Sequence, residues 1–187
     1  MKGVAAADKV VILDRDGTMV IDRGYLDDPA GLEFAPGAAE GLHRLHSHGY
    51  RLVVITNQSG VGRGFFTLEC LEAMNARLRI MVENAGARLE RIYFCPHAPD
   101  AGCACRKPAL GLLTQAAADL GFDPSSAVMI GDKESDVVFG RRAGAMTILI
   151  SGDASTSADA AAHTRIKADL VARDLMEAAG AVISSRD

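Results

Sequence analysis

Short runs of β-branched and aliphatic residues alternate along this chain with longer stretches of helical periodicity, and that alternation is what most limits its fold. The runs fall at 9–13, 51–56, 91–95, 127–130 and 146–150. Between them, apolar residues recur at helical spacing over 37–48, 68–85, 110–120 and 135–143. Strands joined by crossover helices predict a parallel sheet, so the fold class is α/β with a doubly wound, Rossmann-like sheet. Each predicted helix exits through a glycine, at Gly49, Gly86, Gly121 and Gly144, and Pro36 stands near the first helical position of the first. The stretch 151–162, rich in Ser, Ala, Asp and Thr, reads as a mobile loop, and 169–184 as a final amphipathic helix. A chain of 187 residues can bury a substantial core without disulfide staples, so we expect a single domain over 1–187 with no large cap.

Charge and hydropathy then exclude whole classes of partner. Twenty Lys and Arg against 24 Asp and Glu give a net charge of −4, with no polybasic run to follow a nucleic-acid backbone or an anionic membrane. No stretch approaches the roughly 18 apolar residues of a membrane span, and the first hydrophobic run is too short for a signal-peptide core. A cytoplasmic protein without nucleic-acid or membrane partners is expected.

The ends of the predicted strands carry the chemistry. In open α/β sheets ligands bind beyond the carboxyl ends of the strands, and the first strand runs straight into Asp14-Arg15-Asp16-Gly17-Thr18. Two carboxylates two residues apart can face one cleft there, with Gly17 making the bend. The second strand ends in Thr56-Asn57-Gln58-Ser59-Gly60, a hydroxyl and amides able to grip an anion. Arg106-Lys107-Pro108 brings two cations to a later loop, and Gly131-Asp132-Lys133-Glu134-Ser135-Asp136 follows the fourth strand. Taken singly, each motif is also compatible with an ordinary turn or a solvated surface. Together they suit phosphoryl transfer: acids at two strand ends to hold a hard divalent cation, a hydroxyl and a lysine for phosphate oxygens, and a second acid to manage protons. No Gly-x-x-x-x-Gly-Lys-Ser/Thr run occurs, which disfavours a nucleotide kinase.

The four cysteines divide into one and three. Cys70 lies alone in a helical stretch and is expected to act as a small core hydrophobe. Cys95, Cys103 and Cys105 fall within eleven residues of one another together with His97. Three thiolates and an imidazole make the closed tetrahedron of a structural zinc site, and no Cys-x-x-Cys pair points to redox work. Zinc in the loop 95–105 would brace the segment that leads directly into Arg106 and Lys107.

In this order the motifs resemble those of the haloacid dehalogenase superfamily of phosphohydrolases, across about residues 10–150. The resemblance implies that Asp14 is the nucleophile and that Asp16 protonates the leaving oxygen and then activates water. It further implies that Thr56 and Lys107 stabilise the phosphoryl group, and that Asp132 binds Mg²⁺ together with Asp14 and the main-chain carbonyl of Asp16. Asp136 is implied as a support for that metal site.

Within the superfamily the zinc loop is similar to that of a branch holding D,D-heptose 1,7-bisphosphate 7-phosphatases and the phosphatase part of histidinol-phosphate enzymes. Asp22-Arg23-Gly24-Tyr25, and the run from Thr56 through Gly64 to Phe66-Thr67, favour the heptose side. The five-residue spacer between His97 and Cys103 is close to that of histidinol phosphatases. The heptose resemblance implies a sugar-bisphosphate substrate touched by Asp22, Arg23, Gly24, Tyr25, Asn57, Gln58, Ser59, Arg106 and Lys133. It implies hydrolysis of the 7-phosphate through an aspartyl phosphate, on the way to activated heptose for surface polysaccharide. The competing enzyme reading is a histidinol-phosphate phosphatase or another small phosphomonoesterase. A phospho-acceptor signalling module shares Asp, Thr, Lys and Mg²⁺, but its accepting Asp follows a later strand and it has no place for a zinc loop. A zinc scaffold with a dead site would not need Asp14, Asp16, Thr56, Lys107 and Asp132 together. We expect a monomer.

Overall fold

Along the first hydrophobic run, successive side chains point to opposite faces of a sheet, and both faces are buried. The computed structural model describes residues 9–152 and 167–185. In it, β1 (Val10–Leu13), β2 (Arg51–Asn57), β3 (Leu89–Cys95), β4 (Val128–Gly131), β5 (Met146–Ile150) and β6 (Leu170–Ala172) form one parallel sheet in the order β3-β2-β1-β4-β5-β6. Burial on both faces explains why these strands read as continuous apolar runs rather than alternating ones.

Val11 and Leu13 join Leu52, Val54 and Ile130 under α1 (Ala38–Ser47), α3 (Leu68–Asn84) and α6 (Leu175–Ser184). Val10 and Ile12 join Val53, Ile55 and Met129 under α4 (Gly111–Leu120) and α5 (Glu134–Arg142). Each fully buried Leu or Ile of these two layers contributes roughly 1.5–3 kcal/mol through burial. A short α2 (Ser59–Gly62) follows β2 directly. Gly49, Gly86, Gly121 and Gly144 all have positive φ and end their helices as expected.

Three expectations need correction. Among the described residues the sheet has six strands, because 170–172 pair with β5 instead of opening the last helix. Asp169 makes the difference: its Oδ2 accepts from the Thr147 N–H at 2.8 Å and from the Thr147 hydroxyl at 2.7 Å, which starts a strand there. The helix begins only after Asp174, whose Oδ1 accepts from the Glu177 N–H at 2.8 Å. Pro36 lies outside α1, since Gly37 is its N-cap. Cys70 is half-buried at the edge of a core layer, and its thiol donates to the Asp27 carbonyl at 2.9 Å. The greater part of the loop expected at 151–162 lies outside the described residues.

Candidate active site

Strand order reverses between β2-β1 and β1-β4, so the carboxyl end of β1 opens onto the crevice where such sheets bind ligands. Asp14 sits at that end, with its N–H donating to the Ile130 carbonyl of β4 at 3.0 Å. Lys107 reaches it from the loop after β3: Nζ lies 2.8 Å from Asp14 Oδ1 and 2.7 Å from Asp136 Oδ1. Lys107 is only 3% exposed. Burial disfavours its charge, but the Asp14 and Asp136 carboxylates outweigh that and push its pKa up. Asn57 fixes the lysine's backbone, accepting from the Lys107 N–H at 2.9 Å and donating to the Lys107 carbonyl at 3.1 Å.

Asp16 faces the same cleft in a network of its own. It accepts from Arg15 Nε at 3.1 Å and from Gln58 Nε2 at 2.6 Å. Gln58 also donates to the Thr56 hydroxyl at 3.0 Å and accepts from Arg15 Nη2 at 2.8 Å. Sequence reasoning missed Arg15; its place between the two acids was the available signal.

Asp14, Asp132 and Asp136 each bring a carboxylate oxygen within 4.8 Å of the others. Burial, with the neighbouring Asp14 and Asp136 charges, pushes Asp132 up to about 7, and burial beside Asp14 pushes Asp136 up to about 6. Crowded, partly desolvated carboxylates of this kind fit a hard divalent cation, which takes oxygen donors and removes their mutual repulsion. Gly17, at φ +83°, lies so close that a β-carbon there would be 2.2 Å from Asp132 Oδ2. Asp136 Oδ2 accepts from the Lys133 N–H at 3.1 Å, which ties this acid to the start of α5 as well as to Lys107.

The sulfur atoms of Cys95, Cys103 and Cys105 and Nδ1 of His97 also converge within 4.8 Å. His97 Nδ1 is 3.1 Å from Cys105 Sγ, and Cys95 Sγ is 3.5 Å from Cys103 Sγ. Burial, with hydrogen bonding among the thiols, pushes Cys95 up to about 12. Burial acts the same way on Cys103, yet hydrogen bonds from Cys105, Cys95 and backbone N–H groups pull it down to about 6. A soft set of four donor atoms suits a tetrahedral ion. The loop is wedded to the second strand end. The Gln58 N–H donates to the Cys95 carbonyl at 2.7 Å and the Gly62 N–H to the Pro96 carbonyl at 2.8 Å. A β-carbon on Gly62 would lie 2.6 Å from the Ala98 nitrogen, so the two segments touch backbone to backbone.

The cleft above Asp14 encloses about 330 Å³. Asp22, Gly24 and Tyr25 line it from one side, Asn57, Gln58 and Ser59 from another, and Arg106 and Lys133 complete it. Arg23 does not line it; it turns outward to Glu33 at 2.6 Å, because an exposed loop lets adjacent side chains diverge. Lys133 Nζ reaches Asp22 Oδ2 at 3.1 Å across the mouth. Burial works against the charge on Asp22, but the Gly24 N–H and Lys133 hold its carboxyl below the usual range. Arg106 Nη1 is buried and has no hydrogen-bond partner among the described residues. Tyr25 stacks on Phe65 with ring centroids 4.2 Å apart and its hydroxyl accepts from Arg63, an arrangement the sequence did not suggest. Among the described residues no helix is long and apolar enough to cross a membrane.

Comparison with known proteins agrees with this fold. A family model described as HAD-hydrolase-like matches residues 104–178. A D-glycero-β-D-manno-heptose-1,7-bisphosphate 7-phosphatase of Helicobacter pylori is 44% identical over 136 residues, covering 72% of this chain and 78% of the relative. The enzyme of the same name from Haemophilus ducreyi is 38% identical over 178 residues, covering 90% and 95%. Among solved structures, D,D-heptose 1,7-bisphosphate phosphatase from B. bronchiseptica, complexed with magnesium and phosphate, aligns at a TM-score of 0.84. It is 29% identical and covers 95% of this chain and 99% of its own.

Proposed function

Because the chain belongs to the D-glycero-D-manno-heptose-1,7-bisphosphate 7-phosphatase family of haloacid dehalogenase-like hydrolases, we propose that it hydrolyses the 7-phosphate of heptose 1,7-bisphosphate. The product is heptose 1-phosphate, a step toward activated heptose for surface polysaccharide. The observation that carries the reading is Arg106. Arg106 lines the cleft that holds the Asp14–Lys107 pair and keeps a buried Nη1 with no hydrogen-bond partner among the described residues, so one cation serves the reacting phosphate and a second is available for the distal one.

In this reading the Asp14 carboxylate attacks phosphorus and forms an aspartyl phosphate. Lys107 offsets the charge of the incoming dianion, and the Thr56 hydroxyl donates to a phosphoryl oxygen. Asp16 hands a proton to the departing sugar oxygen, then takes one from the water that cleaves the acyl phosphate. Mg²⁺, held by Asp14, Asp132 and the main-chain carbonyl of Asp16, supplies the positive charge that lets an anionic nucleophile approach an anionic phosphate. Asp136 keeps Lys107 and Asp14 in register. Asp22, Gly24, Tyr25, Asn57, Gln58, Ser59, Arg106 and Lys133 surround the sugar. Cys95, His97, Cys103 and Cys105 would hold Zn²⁺, which would brace the loop that delivers Arg106 and Lys107. The protein acts as a cytoplasmic monomer built as one domain.

Turnover of the α and β heptose bisphosphates and of histidinol phosphate, measured side by side for wild type and Asp14→Asn, tests the proposal. The bisphosphate is expected to be preferred and Asp14→Asn to be folded and inactive. Preference for histidinol phosphate would reject the substrate, and an active Asp14→Asn the nucleophile.

A further inference from the structure

Arg15 is a costly residue to place where it is. Its side chain is all but buried, and Nη1 has no hydrogen-bond partner among the described residues. A buried guanidinium with an unused N–H lowers stability, so packing does not account for it. Its other nitrogens are fully directed. Nε lies 3.1 Å from both Asp16 oxygens, and Nη2 lies 3.1 Å from Asp16 Oδ2 and 2.8 Å from Gln58 Oε1.

Gln58 closes the circuit. A guanidinium can only donate, so the Gln58 amide must turn its oxygen to Arg15 and its nitrogen to Asp16. Its Nε2 then has two protons, one directed to Asp16 Oδ2 at 2.6 Å and the other to Thr56 Oγ1 at 3.0 Å. Both ends of this amide are spent on protein, although Gln58 lines the cleft. Thr56 accepts from Gln58, which leaves its own proton for an oxygen in the cleft.

We propose that Arg15 and Gln58 are positioning residues that act through Asp16: together they hold its carboxylate in the one orientation from which it can reach both the leaving oxygen and the attacking water. The inference rests on the reading of Asp16 as acid and base. A carboxylate on a turn after a strand has free rotation about two bonds, and a forked guanidinium on one side with an amide on the other removes it. Lysine at position 15 keeps the charge but cannot fork.

A double-mutant cycle tests this in the full-length protein supplied with Mg²⁺ and Zn²⁺, using the heptose bisphosphate as substrate. Arg15→Lys, Asp16→Asn and the double variant are compared by kcat and KM, with circular dichroism to check the fold. Arg15→Lys is expected to lower kcat on the order of 10²-fold with KM little changed, and to cost nothing more once Asp16 is Asn. Equal losses in both backgrounds, or wild-type kcat in a folded Arg15→Lys protein, would overturn the proposal while leaving the role of Asp16 intact. Wild-type turnover in Asp16→Asn would take down both. Should Arg15→Lys fail to fold, Gln58→Leu enters the same cycle. Its loss is expected to shrink in the Asp16→Asn background to the part owed to Thr56, and an undiminished loss rejects the proposal.

Discussion

Oδ2 of Asp132 fills the space that a β-carbon would need at Gly17, the two being only 2.2 Å apart. Gly17 therefore serves twice: it takes a left-handed φ of +83°, and it lets the acid at the end of β4 approach the turn after β1. Gly17→Ala is expected to displace Asp132 and weaken apparent Mg²⁺ affinity roughly 10- to 100-fold, as losses around metal ligands commonly do. Titrating turnover with Mg²⁺ checks it; an unchanged half-saturation point would mean that Asp132 does not hold the metal.

The pH dependence of magnesium binding follows from the same acids. Without metal, Asp132 and Asp136 titrate near 7 and 6, above the ordinary carboxylate value of 3.8. Between those values the folded protein keeps protons that the unfolded chain has released. The stability these acids contribute is thus complete below the ordinary value and is lost as pH rises through about 7. Mg²⁺ competes with the same protons, so it should raise the melting temperature more at about pH 8 than at about pH 6. Thermal melts with and without Mg²⁺ at the two values decide it, and an equal increment at both would contradict the expectation.

Zinc should be present at one equivalent per chain in protein purified without chelators. Cys103→Ser is expected to lose it and to lower the melting temperature by more than a few degrees, since about 1 kcal/mol shifts a chain of this size by roughly 2–4 °C. Because Cys105, Arg106 and Lys107 are consecutive, KM should rise as well. Elemental analysis and calorimetry provide the measurements; a zinc-free wild type would remove the metal from the account.

Arg106 separates the two substrate readings. An arginine fork matches phosphate oxygens in a way that lysine cannot, so Arg106→Lys should impair the bisphosphate more than a sugar monophosphate. The loss should appear in kcat as well as KM, because holding the distal phosphate orients the reacting one. Parallel kinetics on both substrates test this, and equal impairment would detach Arg106 from the second phosphate.

Much of this was legible in local sequence because its causes are local. The predicted strand at 146–150 coincides with β5, and the other four match to within two residues at either end, since β-branched runs between glycine-ended helices have few other solutions. The three cysteines and the histidine of the proposed zinc site lie within eleven residues of one another, so their spacing shows on the page. Asp169 shows the opposite case. Read by periodicity it opens a helix; its bonds to Thr147, 22 residues away, make it the start of a strand.

The sequence by itself determined the parallel sheet, the acids and cations at its strand ends and the Cys-His cluster, because each depends on residue type and short-range spacing. Tertiary structure alone decided what those side chains face. Asn57 clamps Lys107 across 50 positions, Gln58 grips Asp16 across 42, and Arg23 turns away from the cleft its neighbours line. Partners so far apart in the chain are selected by how strands stack and loops meet, and a side chain's direction at a loop is set by the packing around it rather than by its neighbours in sequence.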